Sequence, residues 1–192
     1  LIGCENYATI CKTGGEEEVK EFAAYLEENG KAVAGFSVLD EACDLRLAKK
    51  LFRQDSAKIQ KSECVLVFAC GSGVQTVAEC TDKKVLPMLD SIFAGGTENL
   101  SKFRELCSVC GDCILDVTAG ICPVTRCPKG LVNGPCGGSN NGKCEERPEL
   151  ECVWYLIFNK LKENGELASL KKSNRIKSYK NASKPRKIEN KR

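Results

Sequence analysis

Apolar positions recur at helical spacing in EEEVKEFAAYLEENG (16–30). Val19, Phe22, Ala23 and Leu26 share a face, acids fill the first turn, and Gly30 closes it. The pattern predicts an amphipathic helix. Before it, Leu1–Ile2 reads as the end of a strand running into Gly3–Cys4. After it, KAVAGFSVLD (31–40) reads as a short apolar strand. LRLAKKLFRQDSAKIQK (45–61) returns to helical period, with Leu47, Leu51 and Ile59 turned inward. CVLVFAC (64–70) is a continuous apolar run, the mark of a strand buried on both faces of a parallel sheet. A helix from Gln75 to Cys80 and a fourth strand, KVLPMLD (84–90), complete the series. The alternation predicts an α/β fold: a small open parallel sheet, flavodoxin-like or Rossmann-like, over residues 1–100.

From about Leu106 to Cys152 the periodicity disappears and Gly, Pro and Cys dominate. It returns in CVWYLIFNKLKENGEL (152–167), where Trp154, Ile157 and Leu161 share a face near Cys152. The expected organisation is an α/β domain (1–100), a cysteine-rich, loop-dominated metal-binding module with a terminal helix (101–168), and a basic tail (169–192).

The cysteines give this outline its chemistry. The 192 residues include 14 Cys and no His, which removes His-based catalysis and Cys/His zinc fingers. CSVCGDC (107–113) sets Cys107, Cys110 and Cys113 three apart. Disulfides at that spacing are strained, whereas a polynuclear site needs several thiolates converging from a tight loop. On the predicted sheet, Cys4, Cys11, Cys43 and Cys70 all fall at the carboxyl edge, where open α/β folds bind ligands. They are read as one site. Cys107, Cys110 and Cys113 belong to a second, and Cys122, Cys127, Cys136, Cys144 and Cys152 are shared between the second and a third. CxxCxxC with Cys-Pro steps at 122–123 and 127–128 resembles the run that holds cubane clusters in bacterial ferredoxins. All-Cys zinc is the competitor. Cys64 and Cys80 lie off the edge and are read as core packing. GSG (71–73) lacks the rest of a nucleotide loop and is read as letting a helix N-terminus approach an anionic site.

Charge adds exclusions. Residues 171–192 carry ten Lys/Arg against Glu189, so the formal +3 becomes about −6 for the rest. A basic tail without interleaved aromatics reads as a solvated or partner-draped extension, and nucleic-acid binding is not expected. No apolar run reaches membrane-span length. The cysteine usage, with no secretion signature, points to a reducing cytoplasm.

TAGICPVTRCPKGLVNGPCGGSNNGKCEERPELECVW (118–154), with ACGSGVQTVAE (69–79) and Cys11-Lys12-Thr13-Gly14-Gly15, resembles the MetV-type small subunit of bacterial methylenetetrahydrofolate reductase. The resemblance spans about residues 1–167 and leaves out the basic tail. It implies two or three 4Fe-4S clusters, with zinc as an alternative at one site. It also implies a MetF-type flavin partner carrying FMN and an electron donor such as ferredoxin or a larger redox complex. The implied role is electron transfer to the FMN that reduces methylene- to methyl-tetrahydrofolate, with no folate chemistry on this chain. Members carry a GCxxCxxxC-like start; here GCENYATIC puts Tyr7 at the middle position, leaving Cys4, Cys11, Cys43 and Cys70 as the full set. Arg126 and Lys129 read equally as solvated charges or partner contacts. The rival function is a zinc-bound structural subunit of the same complex.

Overall fold

The computed structural model describes residues 1–99, 101–171 and 176–186. The chain divides into two units, Leu1–Ile92 and Phe93–Arg192. The first is mixed α/β. Strands β1 (Ile2–Cys4), β2 (Ser37–Leu39), β3 (Cys64–Phe68) and β4 (Lys84–Pro87) form one sheet in the order β2-β1-β3-β4. Every pairing is parallel, with Ile2 opposite Ser37 and Val67, and Val65 opposite Val85. The strand order reverses between β1 and β3, and open sheets bind ligands beyond the carboxyl ends of the strands at such a point.

Helices α1 (Tyr7–Ile10), α2 (Glu16–Glu28), α3 (Leu45–Gln54), α4 (Ser56–Lys61) and α5 (Gly71–Ala78) connect the strands. The core joins Ile2, Ala42, Leu51, Val65, Val67, Ala69 and Val77, and burying each large apolar side chain there contributes about 1.5–3 kcal/mol. In α2, Val19 and Ala23 are buried as its pattern predicts, and the Gly15 N–H donates to the Glu18 carboxylate at 2.9 Å. Gly14 presses on the sheet so closely that a Cβ there would stand 2.5 Å from the Phe68 carbonyl oxygen.

Three expectations shift. Only Ser37–Leu39 of 31–40 pairs, because β1 offers three residues of partner. The helix expected over 45–61 breaks at Asp55, whose carboxylate accepts from Ser37 Oγ at 3.1 Å and Lys58 Nζ at 2.8 Å. The helix expected from Gln75 begins at Gly71, capped by Cys70.

The second unit holds an antiparallel hairpin, β5 (Gly95–Asn99) with β6 (Lys102–Glu105), the short helix α6 (Pro123–Arg126) and the helix α7 (Val153–Glu163). Short 3₁₀ turns follow at Leu167–Lys171 and Lys180–Ala182. As expected, the face of α7 bearing Trp154, Ile157 and Leu161 is buried, packing on Ala119, Ile121 and Cys127 of the cysteine-rich loops. Trp154 Nε1–H donates to the Leu131 carbonyl at 3.0 Å, which satisfies the one polar group its burial would strand. The basic tail falls partly on residues 172–175 and 187–192, outside the described residues. Residues 176–186 are described: most are exposed, while Lys177 is buried. Among the described residues no helix is long and apolar enough to cross a membrane.

Candidate thiolate centres

In the first unit, Cys4 ends β1, Cys43 follows β2 and Cys70 follows β3, so three of the four predicted thiols stand at the carboxyl edge of the sheet. Burial pushes the Cys43 thiol above its ordinary value, and the nearby Cys70 and Cys4 push it further. Cys70 stands at the positive end of α5, and the Cys43 carbonyl accepts from Thr76 Oγ1 of that helix at 3.4 Å. Cys11 closes α1, its N–H donating to the Tyr7 carbonyl at 2.9 Å. Lys12, next in the chain, has φ 52°. Cys64, at the opposite end of β3, and Cys80, with Sγ 3.4 Å from the Thr76 carbonyl oxygen, are half-buried off this edge.

In the second unit the loop from Cys107 to Cys113 turns sharply. Val109 and Gly111 both have positive φ, 51° and 76°. A β-branched residue in that region is strained and persists only where its surroundings impose it. The turn aims the Val109 N–H at Cys107 Sγ, 3.3 Å away. Burial opposes ionisation of Cys110, but the Asp112 N–H and the Lys177 ammonium outweigh it and hold the thiol below its ordinary value. Cys122 Sγ lies 3.6 Å from Thr125 Oγ1, itself 3.0 Å from Ser108 Oγ. Hydroxyls thus tie Cys122 to the 107–113 loop.

The other four thiols gather elsewhere. Cys127, Cys136, Cys144 and Cys152 line one cavity of about 20 Å³, with Lys129 and Glu145 at its wall. The sequence reading left these four ungrouped, although NNGK (140–143) carried the signal. Asn141 and Gly142 have φ 49° and 78° and form a two-residue hairpin turn, the conformation for which Asn-Gly is the preferred pair. Beyond it, the Cys144 N–H donates to the Leu150 carbonyl at 3.0 Å and the Cys152 N–H to the Gly142 carbonyl at 2.8 Å. Two cysteines eight residues apart are thereby folded onto one wall. The Gly138 N–H points at Cys136 Sγ, 3.4 Å away. Lys129 is neither a bare solvated charge nor without partners: it pairs with Glu145 and, at 3.3 Å, with Glu146. Those carboxylates hold its ammonium protonated well above the usual range.

Among the described residues no three Cys, Asp or Glu side chains stand close enough to hold a single metal ion. The described cysteines form no disulfide, and backbone N–H groups are turned onto Cys107 and Cys136. Such amides stabilise anionic sulfur.

Residues 86–180 match the family model described as "Methylene-tetrahydrofolate reductase C terminal". That stretch contains all eight cysteines from Cys107 to Cys152. The match continues past residue 167 into the basic tail and leaves residues 1–85 uncovered. No curated protein and no solved structure matches the chain.

Proposed function

We propose that this chain is the electron-transfer subunit of a methylenetetrahydrofolate reductase, passing electrons to the FMN of a MetF-type subunit that reduces methylene- to methyl-tetrahydrofolate. One observation supports the reading: within a segment that matches the reductase family model, Cys127, Cys136, Cys144 and Cys152 line one cavity and backbone N–H groups point at Cys107 and Cys136. In this reading Cys107, Cys110 and Cys113 are joined by Cys122 as one ligand set. Cys127, Cys136, Cys144 and Cys152 are another, and Cys4, Cys43 and Cys70, with Cys11, are the third. An iron–sulfur cluster, when bound, supplies one-electron transfer at low potential. The chain's own part is to supply thiolates, orient amides toward them and place them against a partner. The sequence has no His, and in this reading the folate chemistry belongs to that partner. Ferredoxin or a larger redox complex is the proposed donor, and a reducing cytoplasm the proposed setting.

A second reading has one observation behind it. The cavity lined by Cys127, Cys136, Cys144 and Cys152 has room for one water-sized body, too little for a cubane, and four Cys are the donor set of an all-Cys zinc site, although they would have to draw together to bind zinc. Zinc there alone is compatible with an electron relay; zinc at every site makes the chain a scaffold. Iron, zinc and acid-labile sulfide per chain, measured on anaerobically purified protein with its flavin partner, decide between them. The proposal expects roughly eight to twelve irons with equal sulfide, twelve falling to eight where one zinc takes the small cavity. Colourless protein with zinc and no sulfide overturns it.

A further inference from the structure

The basic tail does not hang free where it is described. Four of its residues reach the Cys107–Cys113 loop. The Lys177 ammonium donates to the Asp112 carbonyl, and the Ser178 N–H donates to Asp112 Oδ2 at 2.6 Å. Asn181 Nδ2 donates to the Gly111 carbonyl at 3.2 Å, and Arg186 Nη1 to the Val109 carbonyl at 3.1 Å. The contacts span 65 to 77 residues of sequence, so they are tertiary docking. Fit accompanies them: a Cβ on Gly111 would stand 2.3 Å from Asn181 Cβ. Two of the three residues they hold, Val109 and Gly111, have a left-handed backbone; the third is Asp112. Lys177 is only 8% exposed, and its Nζ lies 5.4 Å from the Tyr179 ring centroid. A buried ammonium is costly unless an anion lies beside it, and the Lys177 charge helps hold the Cys110 thiol below its ordinary value.

We propose that residues 176–186 are a strap that imposes the shape of the Cys107–Cys113 loop, with Lys177 as the positioning residue that sets a fixed positive charge beside the loop's sulfurs. The strap's hold on the loop is independent of the function proposed above. The effect of the Lys177 charge on a bound cluster rests on that function. Reduction adds one negative charge to such a centre, so a neighbouring ammonium favours the reduced form and raises the midpoint potential.

Two readouts on the full chain with its flavin partner test the two parts separately. Amide hydrogen exchange of residues 107–113 is compared between the intact chain, a chain ending at residue 175, and the milder pair Asn181→Ala with Arg186→Ala, each with and without metal. The strap predicts exchange about tenfold faster in the shortened chain, the effect of losing one to two net hydrogen bonds' worth of protection. It predicts a smaller rise in the double variant. Unchanged exchange overturns the strap even where the protein proves to hold no iron. The midpoint potential of the iron–sulfur signals is compared between the intact chain, Lys177→Gln and Lys177→Arg. The expected result is a lower potential for one centre in Lys177→Gln and recovery in Lys177→Arg. Equal potentials in all three overturn the charge role and leave the strap standing. A chain without iron instead fails the functional proposal, and the exchange arm still decides the strap.

Discussion

Gly73 sits in the first turn of α5, between the segments that carry Cys43 and Cys70. A Cβ there would stand 2.8 Å from Ala69 Cβ and 3.0 Å from Ala42 Cβ. Both alanines are fully buried, and each immediately precedes one of the two cysteines. For Gly73→Ala, ordinary van der Waals contact begins near 3.4 Å, so the Ala69 contact must open by about 0.6 Å. Overpacking of this kind costs about 1–3 kcal/mol, while Ala in place of Gly inside a helix returns about 1 kcal/mol. The net loss is about 0–2 kcal/mol, or up to roughly 10 °C in Tm for a unit of this size. The larger effect is local: the displaced Ala42 and Ala69 carry Cys43 and Cys70 apart, and loss of metal from the first unit is expected with the second unit's content unchanged. Ala69→Gly relieves the closest contact, so the double variant Ala69→Gly/Gly73→Ala recovers metal that Gly73→Ala loses, a coupling read by a double-mutant cycle. Metal analysis and thermal melts of the four proteins check it. Full metal content in Gly73→Ala, or additive losses in the double variant, would refute the link between this packing and the thiol set.

Ile157→Ala empties a fully buried position in the core that binds α7 to the cysteine-rich loops. It is expected to cost about 2–5 kcal/mol, read by denaturant unfolding, and a cost under about 1 kcal/mol contradicts the packing. Gly142→Ala meets both a φ of 78° and Tyr155 ring atoms at 2.8 Å. A loss of about 1–3 kcal/mol is expected, with faster metal release from the Cys127/Cys136/Cys144/Cys152 set to a chelator. The hydrogen bonds of Asp44 to the Arg46 side chain and N–H hold its carboxyl down to about 2 from an ordinary 3.8. Because the folded value is depressed, the cap's contribution is full above the ordinary value and is lost as pH falls through about 2. Melts from about pH 5 to about pH 2 should show this loss in the native chain and not in Asp44→Asn, and added salt should weaken it, since the pair is exposed.

The parts of the fold that were legible are those whose pattern reports burial on one face or both. The α2 face of Val19 and Ala23, the apolar β3 run and the α7 face of Trp154, Ile157 and Leu161 all appear where the apolar spacing puts them. The hairpin of β5 and β6 was not legible, because almost all its residues are exposed and no face alternates. Asp55 broke a helix for a reason in another element, the hydroxyl of Ser37. The edge position of Cys4, Cys43 and Cys70 followed from counting strands. The grouping of Cys127, Cys136, Cys144 and Cys152 depends on a turn at Asn141–Gly142, a signal present in the residues and passed over. The docked tail was hidden for a different reason: Lys177 and Arg186 look like solvated charge, and the carbonyls they bind, on Asp112 and Val109, belong to a loop 65 to 77 residues away in sequence.

The measurement that bears most directly on the proposed relay is anaerobic stopped-flow mixing of reduced ferredoxin with the flavin subunit, in the presence and absence of this chain, following the flavin absorbance. The relay predicts rapid flavin reduction only when the chain is present, slowed severely by Cys70→Ser or Cys110→Ser. Flavin reduction at the same rate without the chain, or no reduction with it, would contradict electron transfer as its role.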